Sequence, residues 1–122
     1  MGTLYPPDSI HRPVGKATHG ELVLSNVLGT TRYQITTTTT TVWGVWVGAP
    51  TANNTVGSTN TSEIFIQISD ADPGAVLVKS GGFHLAKDDY KGFIIPVNNA
   101  EALWFGGNTA GDVVEYSYLV LA

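Results

Sequence analysis

The sequence predicts an all-β fold, namely an antiparallel β-sandwich or jelly-roll-like barrel of about eight strands with an extended N-terminal arm. Three observations predict it. β-Branched and aromatic residues recur in short segments, clusters of Gly, Asn, Asp and Ser separate these segments, and no stretch shows the three- and four-residue apolar spacing of a helix. Many short strands in one chain are typical of sandwiches and barrels.

The composition predicts a single domain and argues against some classes of partner and chemistry. With 122 residues and 43% apolar residues, the chain can bury a single core. Charged residues make up only 13%, about half of the usual ~25%, so the surface is expected to be neutral and polar. The net charge of -4 argues against nucleic-acid binding. Cysteine is absent, which excludes disulfides and thiolate chemistry, and no apolar run is long enough to predict a membrane span.

Residues 1–19 are predicted to form the extended arm, and residues 20–122 a single β-sandwich domain. The arm contains three of the six prolines and shows neither helical nor strand periodicity. Its net charge is +1, whereas the rest of the chain carries -5. Such an arm would suit an acidic neighbouring surface, but the sequence alone slightly favours the alternative, a mobile terminus.

The first half of the domain contains one clear strand, one long β-branched stretch and one long loop. Residues 21–28 are predicted to form the first strand. Residues 32–47 are predicted to form two strands or one strand bent at Gly44, and the threonines at 36–41 are interpreted as strand because of their branched Cβ atoms. Residues 48–61 are small and polar without periodicity, which indicates a loop.

The second half shows clearer alternation. In the strand that follows the loop, Ile64, Ile66 and Ile68 alternate with other residues and are expected to face the core. Further strand segments are predicted at 75–79, 83–86 and 90–97. Residues 101–105 and 112–121 are expected to pair as a hairpin through the loop GGNTAG. Four residues of the last strand share its core face: Val114, Tyr116, Tyr118 and Val120.

No catalytic constellation is predicted, and the chain is interpreted as a protein that is not an enzyme and has no cofactor. Only three histidines are present, and His84, in a strand-like segment, is expected to be partly exposed or satisfied by a neighbour. No histidine spacing predicts a zinc site. The weak candidates for an ion site are acidic residues in turns, where ordinary turn chemistry is the favoured interpretation. They are Asp70, Asp72, Asp88 and Asp89.

The three tryptophans are candidates for a binding surface. Trp43 and Trp46 are separated by an odd number of positions, so a regular strand would place them on opposite sheet faces. One of them is then expected in the core and the other exposed. Trp46 and Trp104 are predicted as possible ligand-binding or interface aromatics, because tryptophan is enriched at binding hot spots.

The C-terminal half of the chain resembles the small β-sandwich domains of tailed-bacteriophage virion proteins. The resemblance is carried by residues 89–97, by 102–106 and above all by 110–119, AGDVVEYSYL, which is similar to the pattern AGDxVSYxYL of those domains. It is a pattern of strands and turns, not a catalytic motif. Together with the arm and the size, it looks most like a capsid decoration, or cement, protein.

This resemblance implies a location on the outer surface of a phage head, where the protein would bind the major capsid protein and bridge neighbouring subunits. It also implies self-association, with a homotrimer expected, and no contact with nucleic acid or membrane. The arm residues expected at the capsid or subunit interface are Leu4, Tyr5, Ile10, Arg12 and Lys16. The alternative is a receptor- or glycan-binding module of a phage fibre or tail that uses the 48–61 loop and an exposed tryptophan.

Overall fold

The computed structural model describes residues 15–24, 33–51, 59–71 and 82–121. Seven strands and one short 3-10 helix lie within these residues. The strands are β1 (Gly15–Val23), β2 (Val45–Gly48), β3 (Ile64–Ile68), β4 (Phe83–Leu85), β5 (Phe93–Ile95), β6 (Leu103–Gly107) and β7 (Val113–Leu121), and the 3-10 helix spans Ala100–Ala102.

The strands form two antiparallel sheets, which confirms the predicted all-β sandwich. The larger sheet has the order β1-β7-β2-β5, and the smaller one has the order β4-β3-β6. The longest ladder joins β1 to β7, from the pair Gly15 and Leu121 to the pair Val23 and Val113. Because neighbours in each sheet come from distant parts of the sequence, loops pass repeatedly from one sheet to the other.

The core lies between the two sheets and is built from the inward positions of both. From the larger sheet it takes Val45, Val47, Ile95 and Val114, and from the smaller one Ile64, Ile66, Leu85, Leu103 and Phe105. All of these side chains are at most 1% exposed. Alternation along β-branched strands therefore places one face of each sheet in the core, as expected for a sandwich.

The predicted core faces of β3 and β7 are confirmed except at Ile68 and Val120, and Val113, which alternation places on the opposite face of β7, is also fully buried. Ile64 and Ile66 are buried, but Ile68, the last residue of β3, is 41% exposed although its ladder partner Leu103 is fully buried. On β7, Tyr116 and Tyr118 pack against the core and stack on each other at 6.1 Å between ring centroids. Burial, with a smaller contribution from Tyr116, raises the pKa of Tyr118.

The interpretation of residues 36–41 as strand was wrong. Their threonine hydroxyls bond to the backbone of the same segment: the Thr36 hydroxyl accepts from the Thr38 amide at 3.4 Å, and the Thr40 hydroxyl donates to the Thr38 carbonyl at 2.9 Å. Such local bonds offer the backbone an alternative to a strand ladder. Within the described residues 33–44, the pairing consists of two isolated bridges, from Tyr33 to Phe105 and from Thr41 to Asn99.

The predicted hairpin between the last two strands was also wrong. β6 pairs with β3, whereas β7 pairs with β1 and β2 in the other sheet. The connection between β6 and β7 therefore crosses between the sheets. The side chain of the buried Asp112 holds it in place by accepting from the Thr61 amide at 2.8 Å and from the Ser62 amide at 3.1 Å.

Two predicted boundaries are corrected by the structure. β1 begins at Gly15, so residues 15–19 belong to the larger sheet rather than to an arm. The start of β6 is also displaced, because Asn99 caps a 3-10 turn by accepting from the Glu101 amide. The predictions for residues 1–14, 25–28, 52–58 and 75–79 lie outside the described residues.

One cross-strand pair is predicted to make stability depend on pH. Glu21 and Glu115 lie directly opposite each other in the β1–β7 ladder. Burial raises the pKa of the Glu115 carboxyl, and the negative charge of Glu21 raises it further. Below the pKa that Glu115 has in the unfolded chain, its carboxyl is protonated in both the folded and the unfolded state, and the pair does not lower the free energy of unfolding. Above the raised pKa of the folded state, Glu115 is charged in both states, and the folded state carries the full cost of its burial and of repulsion by Glu21. The free energy of unfolding therefore falls as pH rises from the unfolded-state pKa to the folded-state pKa.

We therefore expect Glu115→Gln to increase the free energy of unfolding at pH 7 by about 0.2–1 kcal/mol, the size of a like-charge pair in a sheet. The gain should disappear in acid, where the wild-type carboxyls are protonated. Urea unfolding at the two pH values measures it, with the exposed Asp88→Asn as control. A gain that is equal at both pH values would show that charge repulsion is not its cause.

Candidate functional site

Three large apolar side chains are exposed along one edge of the larger sheet. Trp43 is 81% exposed, Ile94 is 68% exposed and Tyr90 is 54% exposed. Ile94 lies on β5, the last strand of that sheet, and the other two lie in segments that contact β2 and β5. We call Trp43, Tyr90 and Ile94 the apolar edge.

The turn before β5 fixes the position of Tyr90. Gly92 has a φ of 63°, in the left-handed region that favours glycine, and a Cβ at this position would collide with the Val47 carbonyl oxygen. The Asp89 side chain accepts from the Gly92 amide at 2.9 Å, and the Ala49 amide donates to the Asp89 carbonyl at 2.9 Å. The turn is therefore tied both to itself and to the end of β2.

Trp46 packs beside this edge on β2, the strand next to β5 in the sheet. It pairs with Ile94 across the β2–β5 ladder, and its indole N–H donates to the Lys91 carbonyl at 2.9 Å. Its ring lies against Gly48, where a Cβ would come within 2.5 Å of the ring. Because it is half-buried and already bonded, Trp46 is a packing residue with limited surface to offer a ligand.

The backbone that follows Trp43 closely approaches Ile94. Gly44, which follows Trp43, approaches β5 so closely that a Cβ there would lie 2.9 Å from Cγ2 of Ile94. Trp43 also borders an open groove together with Ile68, Pro96, Val97 and Asn98. The apolar surface thus continues from the sheet edge toward the end of β3.

A second feature is a polar pocket around Trp104, with a volume of about 200 Å³. Within the described part of the chain, its lining combines one aromatic side chain, two carboxylates and two amides. They are Trp104, Asp70, Glu101, Gln34 and Asn99, with Ala71 and Ala102 completing the wall. We call it the Trp104 pocket.

Hydrogen bonds hold the walls of this pocket together. The Trp104 indole N–H donates to the Ser69 carbonyl at 3.1 Å, and Gln34 Nε2 donates to the Glu101 carbonyl at 2.7 Å. Asn99 Oδ1 accepts from the Thr40 amide at 2.9 Å and from the Glu101 amide at 3.1 Å. Segments distant in the sequence therefore meet here in a fixed arrangement.

The structure brings together only part of the predicted site residues. Among the arm residues, Lys16 lies on β1 with its side chain exposed, while the predictions for Leu4, Tyr5, Ile10 and Arg12 lie outside the described residues, as does that for Asp72.

The three remaining ion-site candidates lie in three different environments. Asp70 lines the Trp104 pocket, whereas Asp89 caps the turn before β5 and Asp88 is exposed. Within the described ranges, no group of three or more His, Asp or Glu residues is arranged to hold a metal ion. His84 has a 48% exposed side chain, and its Nδ1 lies 2.8 Å from Glu63 Oε2, as predicted for a partly exposed and satisfied histidine.

Sequence reasoning considered Trp43 but selected Trp46 and Trp104, although Trp43 is the most exposed of the large hydrophobic residues described, and neither Trp43 nor Trp46 lies in the core as expected for one of them. The argument from alternation assumed a regular strand through residues 43–46, but β2 begins only at Val45. The one available signal was Gly44, because a glycine inside a strand pattern often marks a bend or a close backbone approach.

No family model matches this chain, and neither does any curated protein or solved structure. In the part of the chain that the structure describes, no helix is long and apolar enough to cross a membrane.

Proposed function

We propose that the protein is a structural protein of a tailed-phage virion, a capsid decoration protein that binds the outer surface of the head and bridges neighbouring capsid subunits. The observation that carries the proposal is the apolar edge, with Trp43 81% exposed and Ile94 68% exposed on a small, sparsely charged domain. The resemblance of residues 110–119 to virion β-sandwich domains supports the same function.

The chemistry of the edge favours a protein partner. Tryptophan and tyrosine bury large areas at little entropic cost and dominate interface hot spots. Leaving Trp43, Tyr90 and Ile94 in water costs free energy that a matching apolar surface would recover, at about 25 cal/mol per Å² of apolar area. Since only 13% of residues are charged, packing rather than charge would determine the contact. The partner is the major capsid protein, and the protein acts as a homotrimer.

The arm would add a second attachment, and truncation tests it. Because β1 begins at Gly15, removing residues 1–14 leaves the longest ladder complete, whereas removing 1–19 would take away the first half of β1. We expect the chain without residues 1–14 to unfold at the wild-type temperature and to lose co-sedimentation with expanded heads of the phage that encodes it.

Three outcomes of this experiment decide whether the arm is an anchor and whether the protein binds phage heads at all. If the full chain co-sediments and the truncated chain does not, the arm is an anchor. If both co-sediment equally, the arm has no such role. If the full chain fails to bind heads of any expansion state, the decoration function itself is wrong.

A further inference from the structure

We infer that the Trp104 pocket binds a single neutral sugar residue at the end of a glycan. The inference goes beyond capsid attachment, since the pocket does not share a lining residue with the apolar edge. Trp104 was predicted as a possible ligand-binding aromatic, and the inference gives it a ligand, a neutral sugar, and a location, the pocket. Trp46 takes no part in this contact.

Trp104 supplies a preformed apolar wall. It lies opposite Gln67 in the β3–β6 ladder, and its indole N–H is bonded to the Ser69 carbonyl at 3.1 Å. The ring is thus held by backbone pairing and by its own hydrogen bond, while part of it remains exposed. A fixed aromatic ring can cover the apolar C–H face of a pyranose without losing rotamer entropy.

The polar wall provides the acceptors and the donor that sugar hydroxyls need. Asp70 is exposed, and its carboxylate makes no hydrogen bond to any described residue. One carboxylate oxygen of Glu101 accepts from the Thr39 hydroxyl at 3.1 Å, which leaves the other for a ligand. Asn99 uses its Oδ1 internally, so its amide N–H groups remain to donate.

Charge and size define the ligand class. Among the described residues, the lining contains two carboxylates, those of Asp70 and Glu101, and no lysine or arginine, so we expect sugars with carboxylate or phosphate groups to be repelled. The volume of about 200 Å³ is below the ~300 Å³ at which pockets for drug-sized ligands begin. One ring would enter, and the rest of a glycan would extend into solvent.

The test uses the full chain and a panel of monosaccharides, both neutral and acidic, up to about 10 mM, where a ligand with Kd near 1 mM would be mostly bound. The readout is the ¹H–¹⁵N signals of the three indole N–H groups. We expect at least one neutral sugar to shift the Trp104 signal and to leave the Trp43 signal unchanged, with the acidic sugars inactive.

Asp70→Asn is the decisive variant, because Asp70 is exposed and its loss should leave folding intact. Because the amide keeps one acceptor oxygen but loses the charge, the weaker hydrogen bond to a neutral acceptor is expected to reduce sugar binding about 10-fold. Asp88→Asn removes an exposed carboxylate outside the pocket and should bind like wild type. Neither variant should change co-sedimentation with phage heads, which separates this inference from the proposed function.

Two results would overturn the inference. The first is that no sugar in the panel moves the Trp104 signal. The second is that calcium alone moves it in the absence of sugar and that Asp70→Asn abolishes this effect, which would make the pocket a cation site.

Discussion

Replacing Asp112 by alanine is expected to lower the free energy of unfolding by about 3 kcal/mol or more. Asp112 is only 2% exposed. Its carboxylate accepts from the Thr61 amide at 2.8 Å, from the Ser62 amide at 3.1 Å and from the Ser62 hydroxyl at 3.0 Å. Alanine would remove all three bonds and leave two backbone N–H groups without their acceptor, and hydrogen bonds to charged groups contribute about 1.5–3 kcal/mol each.

Urea unfolding followed by circular dichroism measures the loss. Asp112→Asn keeps one acceptor oxygen in the same shape and should fall between wild type and Asp112→Ala. Asp88→Ala, at an exposed position, should change stability by less than about 0.5 kcal/mol. Equal losses for Asp112→Ala and Asp88→Ala would show that the carboxylate does not hold the connection between the sheets.

The fold class could be predicted from the sequence because it follows from local patterns. Strands β3, β4 and β7 lie within the predicted segments, and the core positions Ile64, Ile66 and Val114 follow from alternation alone. These signals depend only on residues one or two positions apart, so one sequence is enough to detect them.

The pairing of β6 and β7 could not be predicted in the same way. A Gly-rich connection between two strands is compatible with a hairpin and with a crossover between sheets. What decides here is contact with distant segments: Asp112 binds residues 61 and 62, and the Leu24 amide donates to the Asp112 carbonyl at 2.8 Å. Neither partner is marked by spacing near the turn.

The threonine segment shows a different limit. Threonine has a strand-favouring Cβ and also a hydroxyl that can bond to nearby backbone, and the two properties oppose each other. In residues 36–40 the local bonds prevail. Propensity alone could not decide this, because the outcome depends on whether a neighbouring strand is available for pairing.

The candidate sites were predicted only in part, because they too depend on contacts between segments that are distant in the sequence. Trp104 and Asp70 could be singled out as residue types, but the Trp104 pocket also needs Gln34 and Asn99, which reach it through long-range contacts. Trp43 was not selected because the argument from alternation assumed an unbroken strand through residues 43–46, whereas β2 begins at Val45.

The second large effect is expected on capsid binding. Replacing Trp43 and Ile94 together by serine should weaken binding to phage heads at least about 100-fold, because loss of a hot-spot side chain costs ~2 kcal/mol or more and each 1.4 kcal/mol is tenfold in affinity. Both side chains are mostly exposed in the isolated protein. Their replacement should therefore leave the unfolding temperature unchanged.

Val23→Ser is the matched control. Val23 is also an exposed hydrophobic residue, at 41%, but it lies on β1, at the opposite edge of the same sheet. It tests whether loss of any exposed apolar side chain reduces binding or whether the apolar edge is required.

Quantitative co-sedimentation with expanded heads of the phage that encodes the protein tests the central claim most directly. The wild type and Val23→Ser should saturate the heads at the same concentration, and the variant with Trp43→Ser and Ile94→Ser should remain in the supernatant. Equal binding by all three proteins would contradict attachment through the apolar edge, and absence of binding by the wild type would contradict the decoration function.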